Sequence, residues 1–219
     1  MTIPELEAAL ERAREHQQKF VEEGTVKGSL KELIAANEAV LRAERALAAA
    51  KGEEYASPLE LPVRWNTGAP SPHLLQSDYR TFLFFLLSDD ESDGNQEYLQ
   101  ISPSDGTYGE MIGLVEFDRC ECTKMGTPND EVLHGHPLDG RGLRIYGAFS
   151  VENSCWVKEL EAINSVHSQY SPDAWKGLKH FMLCFHDSTF ECVAQGLKVE
   201  KWKASLPAML AEVCRRLNQ

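Results

Sequence analysis

His180-Phe-Met-Leu-Cys-Phe-His-Asp-Ser-Thr-Phe-Glu-Cys-Val-Ala194 joins two β-prone runs at a short polar interruption, and its pairing decides how the rest of the chain packs. A two-residue turn at Asp187-Ser188 predicts a hairpin in which His186 faces Thr189, Phe185 faces Phe190 and Cys184 faces Glu191. Side chains alternate along a strand, so Phe181, Leu183, Phe185, Phe190 and Cys192 share one face. His180, Met182, Cys184, His186, Glu191 and Val193 share the other. The first set reads as a core face. The second mixes soft apolar residues with two imidazoles and a carboxylate, the composition of a half-buried polar strip. Its plainest reading pairs Glu191 with His186 diagonally at the sheet edge and leaves Asp187 and Ser188 to make the turn.

Upstream of this hairpin, Thr81–Leu87, Tyr98–Ile101 and Met111–Phe117 read as strands, and Arg119–Thr123 extends the last of them through a bulge. Asp89–Gly94 and Ser102–Gly109 read as exposed connections. Asn153 or Ser154 starts a helix with Trp156, Leu160, Ile163 and His167 at helical intervals, its apolar face widened by Val157 and Val166. Leu206, Leu210, Val213 and Leu217 mark an amphipathic C-terminal helix. Hairpins followed by helices predict an α+β fold with a central, mostly antiparallel sheet covered by helices.

The N-terminal segment has a different character. Thr2 caps a helix carrying Leu6, Ala9, Leu10, Ala13, Phe20 and Val21 that stops at Gly24. Ser29 with Glu32 then forms a capping box before a second stripe of Leu30, Leu33, Ile34, Val40, Leu41 and Leu47. Residues 1–54 are therefore expected to form a helical hairpin that docks on an α+β domain of residues 58–219, pairs with a second copy or receives a partner helix, with Pro58, Pro62, Pro70 and Pro72 breaking up the join.

A chain of 219 residues with 42% hydrophobic content buries enough surface for one substantial core. Lys and Arg total 22 against 34 Asp and Glu, and the net charge of -12 opposes nonspecific attraction to nucleic acid or an anionic membrane. The richest apolar run, Phe82–Leu87, is far too short to span a bilayer, and a cytoplasmic protein is the expectation. Six cysteines, loosely spaced, read mostly as reduced small core residues.

The candidate chemistry lies in the histidines, cysteines and carboxylates. Cys184, His186 and Glu191 are the candidate catalytic set, although the spacing of Cys184 and His186, about 6.6–6.8 Å along a strand, is too long for direct proton transfer. Cys155 is a second candidate thiol, either cysteine being activated by a nearby histidine whose ring Glu191, Asp187 or Asn153 orients. His134, His136 and His186 are the candidate metal ligands; there is no HExxH element and no paired CxxC motif. The loop Gly135-His-Pro-Leu-Asp-Gly140 presents His136 and Asp139, which join His167, His180 and Asp187 as candidate ligand- or partner-binding residues. No phosphate-binding glycine loop, dinucleotide fingerprint or GxSxG elbow is present, and no cofactor is expected. Trp65, Trp156, Trp175 and Trp202, with Tyr79, Tyr98, Tyr108 and Tyr146, supply aromatic contact surface. These features favour noncovalent binding to a protein partner or self-association, with a metal-assisted or cysteine-dependent hydrolase as the alternative.

Overall fold

The computed structural model describes residues 1–22, 30–88, 98–101 and 109–219. The expected helix stop at Gly24, the cap at Ser29 and the connections at 89–94 and 102–108 lie outside the described residues.

Helices α1 (Ile3–Glu22) and α2 (Leu30–Lys51) form the expected antiparallel hairpin. At its start the Thr2 amide donates to Glu5 Oε2 at 2.7 Å, so the first turn is closed by a carboxylate placed where the helix dipole favours it. The buried side of α2 is Ala36, Val40, Glu44 and Ala48, small enough for close approach of its neighbours. Glu44 and Arg45 tie this helix to the main body. Glu44 accepts from the Gly142 amide at 3.2 Å, and Arg45 Nε donates to the Ala56 carbonyl at 3.0 Å. Gly142 has φ +86, and an added Cβ would lie 2.6 Å from the Arg45 side chain and 2.7 Å from the Ala56 oxygen, so this junction requires glycine.

Among the described residues, ten strands form two sheets rather than the single central sheet expected. The first contains β1 (Tyr55–Pro58), β7 (Ala148–Glu152), β8 (Lys179–Cys184), β9 (Thr189–Ala194) and β6 (Cys122–Gly126), in that order. The second contains β2 (His73–Gln76), β3 (Thr81–Leu86), β5 (Glu110–Asp118), β10 (Gly196–Ala204) and β4 (Leu99–Gln100). All pairings are antiparallel except β10 with β4. Two sheets arise because β5 runs on into β6 and β9 runs on into β10, and both chains cross between sheets at the same corner. There Gln195 N–H donates to the Asp118 carbonyl and Glu121 N–H to the Val193 carbonyl. Residues 119–121 therefore bulge against a shorter partner segment, and Arg119 takes φ +48.

The two sheets face one another across the main core. Leu83, Phe85, Val115 and Phe117 from one meet Phe181, Leu183, Phe190 and Cys192 from the other. The opposite side of β3 and β5 packs Phe82, Phe84, Ile112 and Leu114 under Met209 and Val213 of helix α4 (Leu206–Leu217). That double burial explains the uninterrupted Phe82-Leu-Phe-Phe85 run, in which each ring removed from water contributes about 1.5–3 kcal/mol. The outer face of the first sheet is covered in two pieces. Leu133, Leu138 and Leu143 cover Met182 and Cys184, while helix α3 (Cys155–Asn164) and Trp175 cover Val193. Helix α3 is shorter than expected: Ser165 caps its end, Ile163 and Val166 face solvent, and His167 falls in the following turn.

Candidate functional site

The β8–β9 hairpin turns on His186-Asp187, one residue earlier than expected. Phe185 N–H bonds the Ser188 carbonyl, and Cys184 pairs with Thr189, Leu183 with Phe190 and Met182 with Glu191. This moves the register by two residues, which restores every side chain to the face predicted for it. Phe181, Leu183, Phe185, Phe190 and Cys192 all enter the main core. His186, however, leaves the ladder for the hairpin tip, and the expected Glu191–His186 pair is replaced by two separate histidine–carboxylate pairs.

The first is buried. His180 Nε2 lies 2.8 Å from Glu191 Oε2, and His180 Nδ1 lies 3.0 Å from Ser154 Oγ. Ser154 is the N-cap of α3, its oxygen accepting from the Val157 amide at 3.2 Å. Burial pushes the Glu191 carboxyl up, but the His180 hydrogen bond, with the charges of His180, Lys124 and His136, outweighs it and holds the group below the usual range. A carboxylate here requires the imidazole proton on Nε2. Nδ1 shares its hydrogen bond with the serine oxygen. Trp156 packs edge-on to the His180 ring at 5.1 Å, and Lys124 Nζ sits 3.7 Å above the Trp156 ring centre.

This chain of hydroxyl, imidazole and carboxylate has the connectivity of a nucleophilic relay. Its placement is structural: Ser154, His180 and the surrounding sheet are buried, and the serine oxygen is already committed to the helix cap. His136 lies near the same group. Burial lowers its pKa while the Glu191 charge raises it, and its Nδ1 accepts from the Leu138 amide at 3.1 Å, turning the loop back on itself.

The second pair is half-exposed. His186 Nδ1 lies 2.8 Å from Asp130 Oδ2, the same oxygen that accepts from the Tyr146 hydroxyl. The Asp130 amide also donates to the His186 carbonyl at 3.0 Å, fastening the 130–135 turn to the hairpin tip. Tyr146 reaches this position from a left-handed backbone, φ +54. Its hydrogen bond, followed by that of His186, holds the Asp130 carboxyl below its ordinary value; the Asp130 hydrogen bond in turn raises His186.

His134, Asp139 and His167 do not join either group. His167 is exposed, with Nδ1 accepting from the Gln169 amide at 3.1 Å. His134 and Asp139 are exposed on the loop side of Leu133 and Leu143, and Asp187, exposed at the tip, brings Oδ1 to 4.0 Å from His186 Nε2. Among the described residues no three His, Cys, Asp or Glu side chains converge to hold a metal, so the His134, His136, His186 set does not assemble. Cys184 is buried beneath the loop leucines, where desolvation pushes its thiol up to about 12, and Cys155 is also raised by burial and by Glu54. Neither thiol is activated.

A recess of about 610 Å³ that the sequence did not suggest lies at the edge of the two-sheet core. Leu59, Leu61 and Val63 of the proline-broken segment form one wall, Tyr146 and Gly147 the other, and Trp65 and Ser88 also line it. A smaller recess of about 300 Å³ shares Asn66 and Ser88 with it. Among the described residues, three buried side-chain polar atoms have no hydrogen-bond partner: Trp65 Nε1, Ser88 Oγ and Asp130 Oδ1. The first two belong to the recess lining, and the third belongs to the residue that Tyr146 grips from it. Among the described residues no helix is long and apolar enough to cross a membrane. The chain matches no protein-family model, no curated protein and no solved structure.

Proposed function

We propose that the protein acts by noncovalent binding, with the 610 Å³ recess as its ligand site. The observation that carries this reading is the gathering of unpartnered buried polar atoms at one recess. A buried donor or acceptor without a partner costs about 1–3 kcal/mol, and native chains retain few of them without a reason. Trp65 Nε1 is a donor, and Ser88 Oγ both donates and accepts. The lining sets Leu59, Leu61 and Val63 beside the charged Glu60, Arg64 and Arg144, and the volume suits a small organic molecule. The ligand class is accordingly a compact molecule with an apolar body and a carbonyl or carboxylate acceptor.

The polar residues that first suggested catalysis are engaged with one another in the interior or stand apart on the surface. Likewise, Glu44 and Arg45 of α2 are engaged with the main body. Both considerations favour the recess over the hairpin as the binding surface.

The test is a thermal-shift and tryptophan-fluorescence screen with small amides and carboxylic acids, run on the native protein and on Trp65→Phe. The reading expects a saturable response in the native protein that falls at least about tenfold in affinity in the variant, the worth of one buried hydrogen bond. An equal response in both proteins, or ligand-induced NMR shifts centred away from Trp65 and Ser88, would defeat it.

A further inference from the structure

Charged side chains of both signs line the recess: Glu60 on the proline-broken segment with Arg64, and Arg144 on the wall that carries Gly147. Main-chain bonds hold the two walls. Pro58 pairs with Phe149, and the Leu59 amide donates to the Ala148 carbonyl at 2.9 Å, so Glu60 follows directly from the point where the walls join. Farther along, the Ser88 amide donates to the Arg64 carbonyl at 2.9 Å. Gly147 has no room for a side chain, since a Cβ would fall 2.5 Å from the Phe149 ring and 3.5 Å from Arg144 Cγ. Bare backbone therefore forms the wall beside the Arg144 stem.

The hydrogen-bonding capacity of two of these charges is left over after folding. Arg144 Nη1 donates to Glu38 Oε1 of α2 at 2.8 Å, and the other guanidinium donors have no protein partner among the described residues. The exposed Glu60 carboxylate has neither a hydrogen bond nor an ion pair among the described residues.

We propose, resting on the reading of this recess as the ligand site, that its ligand is a zwitterion: an apolar α-amino acid or short apolar peptide with free ends. Glu60 takes the ammonium and Arg144 the carboxylate, with the Trp65 indole N–H and the Ser88 hydroxyl as neutral donors. Leu59, Leu61 and Val63 meet the apolar side chain. A neutral carbonyl compound would leave both charges unanswered. A simple carboxylic acid would meet the like charge of Glu60, and a simple amine that of Arg64 and Arg144. Hydrogen bonds between charged partners are roughly twice as strong as neutral ones, so a molecule carrying both groups gains at both walls. Having no net charge, it also avoids the repulsion that a protein of net charge -12 exerts on an anion.

The experiment is isothermal titration of the full chain with leucine and with leucyl-leucine, each beside its N-acetylated and its C-amidated form. At least one zwitterion is expected to bind about tenfold or more tightly than either of its blocked forms. Whichever of the two binds more tightly distinguishes a free amino acid from a peptide as the source. Glu60→Gln should remove the preference over the acetylated form and keep that over the amidated form. Arg144→Gln should weaken the preference over the amidated form about fivefold or more and keep the other. Both positions are exposed, so neither change disturbs the core. Blocked forms that bind as tightly as the zwitterions, or preferences that both variants retain, would overturn the assignment. If Trp65→Phe still weakens binding in that case, the recess stands as a ligand site with another ligand. Failure of both zwitterions while simple amides or acids bind would overturn it equally. Failure of every compound, or binding that Trp65→Phe leaves unchanged, would overturn the recess as the ligand site and the zwitterion with it.

Discussion

Two polar regions flank the same sheet sandwich and differ in one respect: whether their buried groups are paired. At the buried pair on the outer face, Ser154, His180 and Glu191 satisfy one another and the N-terminus of α3. At the recess, Trp65 Nε1 and Ser88 Oγ are buried without a partner among the described residues. The first region is rich in residue types associated with catalysis and is closed. The second combines Trp65, Ser88 and aliphatic side chains with Glu60, Arg64 and Arg144, and two of its buried polar atoms have no partner among the described residues. The two regions therefore differ in how far folding has used up their hydrogen-bonding groups, a difference that residue type alone does not reveal.

The contrast is broken most severely at Glu191. Replacing it with alanine leaves the His180 Nε2 proton buried without an acceptor and is expected to cost about 3 kcal/mol in urea unfolding. Ser154→Ala removes both a helix cap and the partner of His180 Nδ1, with an expected loss of about 1–2 kcal/mol. At the recess, Trp65→Phe preserves the ring contacts to Phe85 and Phe185 while deleting an unpartnered donor. Its unfolding midpoint should equal or slightly exceed that of the native protein; a large loss would mean that the indole N–H is satisfied.

The exposed pair sharpens the comparison through pH. His186 is held above its unfolded value by Asp130, so its contribution to stability is complete below about pH 6.5 and is lost as the pH rises through the raised value. Asp130 is held below its unfolded value by Tyr146 and His186, so its contribution is complete above about pH 4 and is lost as the pH falls. Stability from this pair should peak between those limits. His186→Gln should flatten the decline between pH 6 and 8 in denaturant titrations, and an unchanged slope would show that the pair carries no linkage.

The hairpin illustrates what could be read from sequence and what could not. Its core face was legible because apolar alternation has a period of two, and the turn error shifted the register by an even number. The turn itself was misplaced because Asp187-Ser188 carries stronger turn residues than His186-Asp187, and the docking of Asp130 on His186 was not encoded nearby. Ser154 was recognised as a helix start, but its bond to His180 joins positions 26 residues apart. Strands β7 and β10 went unread: Lys198, Glu200, Lys201 and Lys203 give β10 the composition of a solvated segment, although its pairing with β5 spans its full length. The recess escaped notice because its wall is the segment read only as a proline-broken linker. Its shape exists only once that segment folds against Tyr146.

The most direct test compares the same substitution in the two regions, Ser88→Ala and Ser154→Ala, by urea unfolding of the intact chain. The account predicts opposite signs: Ser154→Ala loses about 1–2 kcal/mol, whereas Ser88→Ala is neutral or gains up to about 1 kcal/mol by removing an unpartnered buried hydroxyl. Equal losses at both serines would contradict it, since Ser88 would then be paired like Ser154 and the recess would have no hydrogen-bonding capacity in reserve.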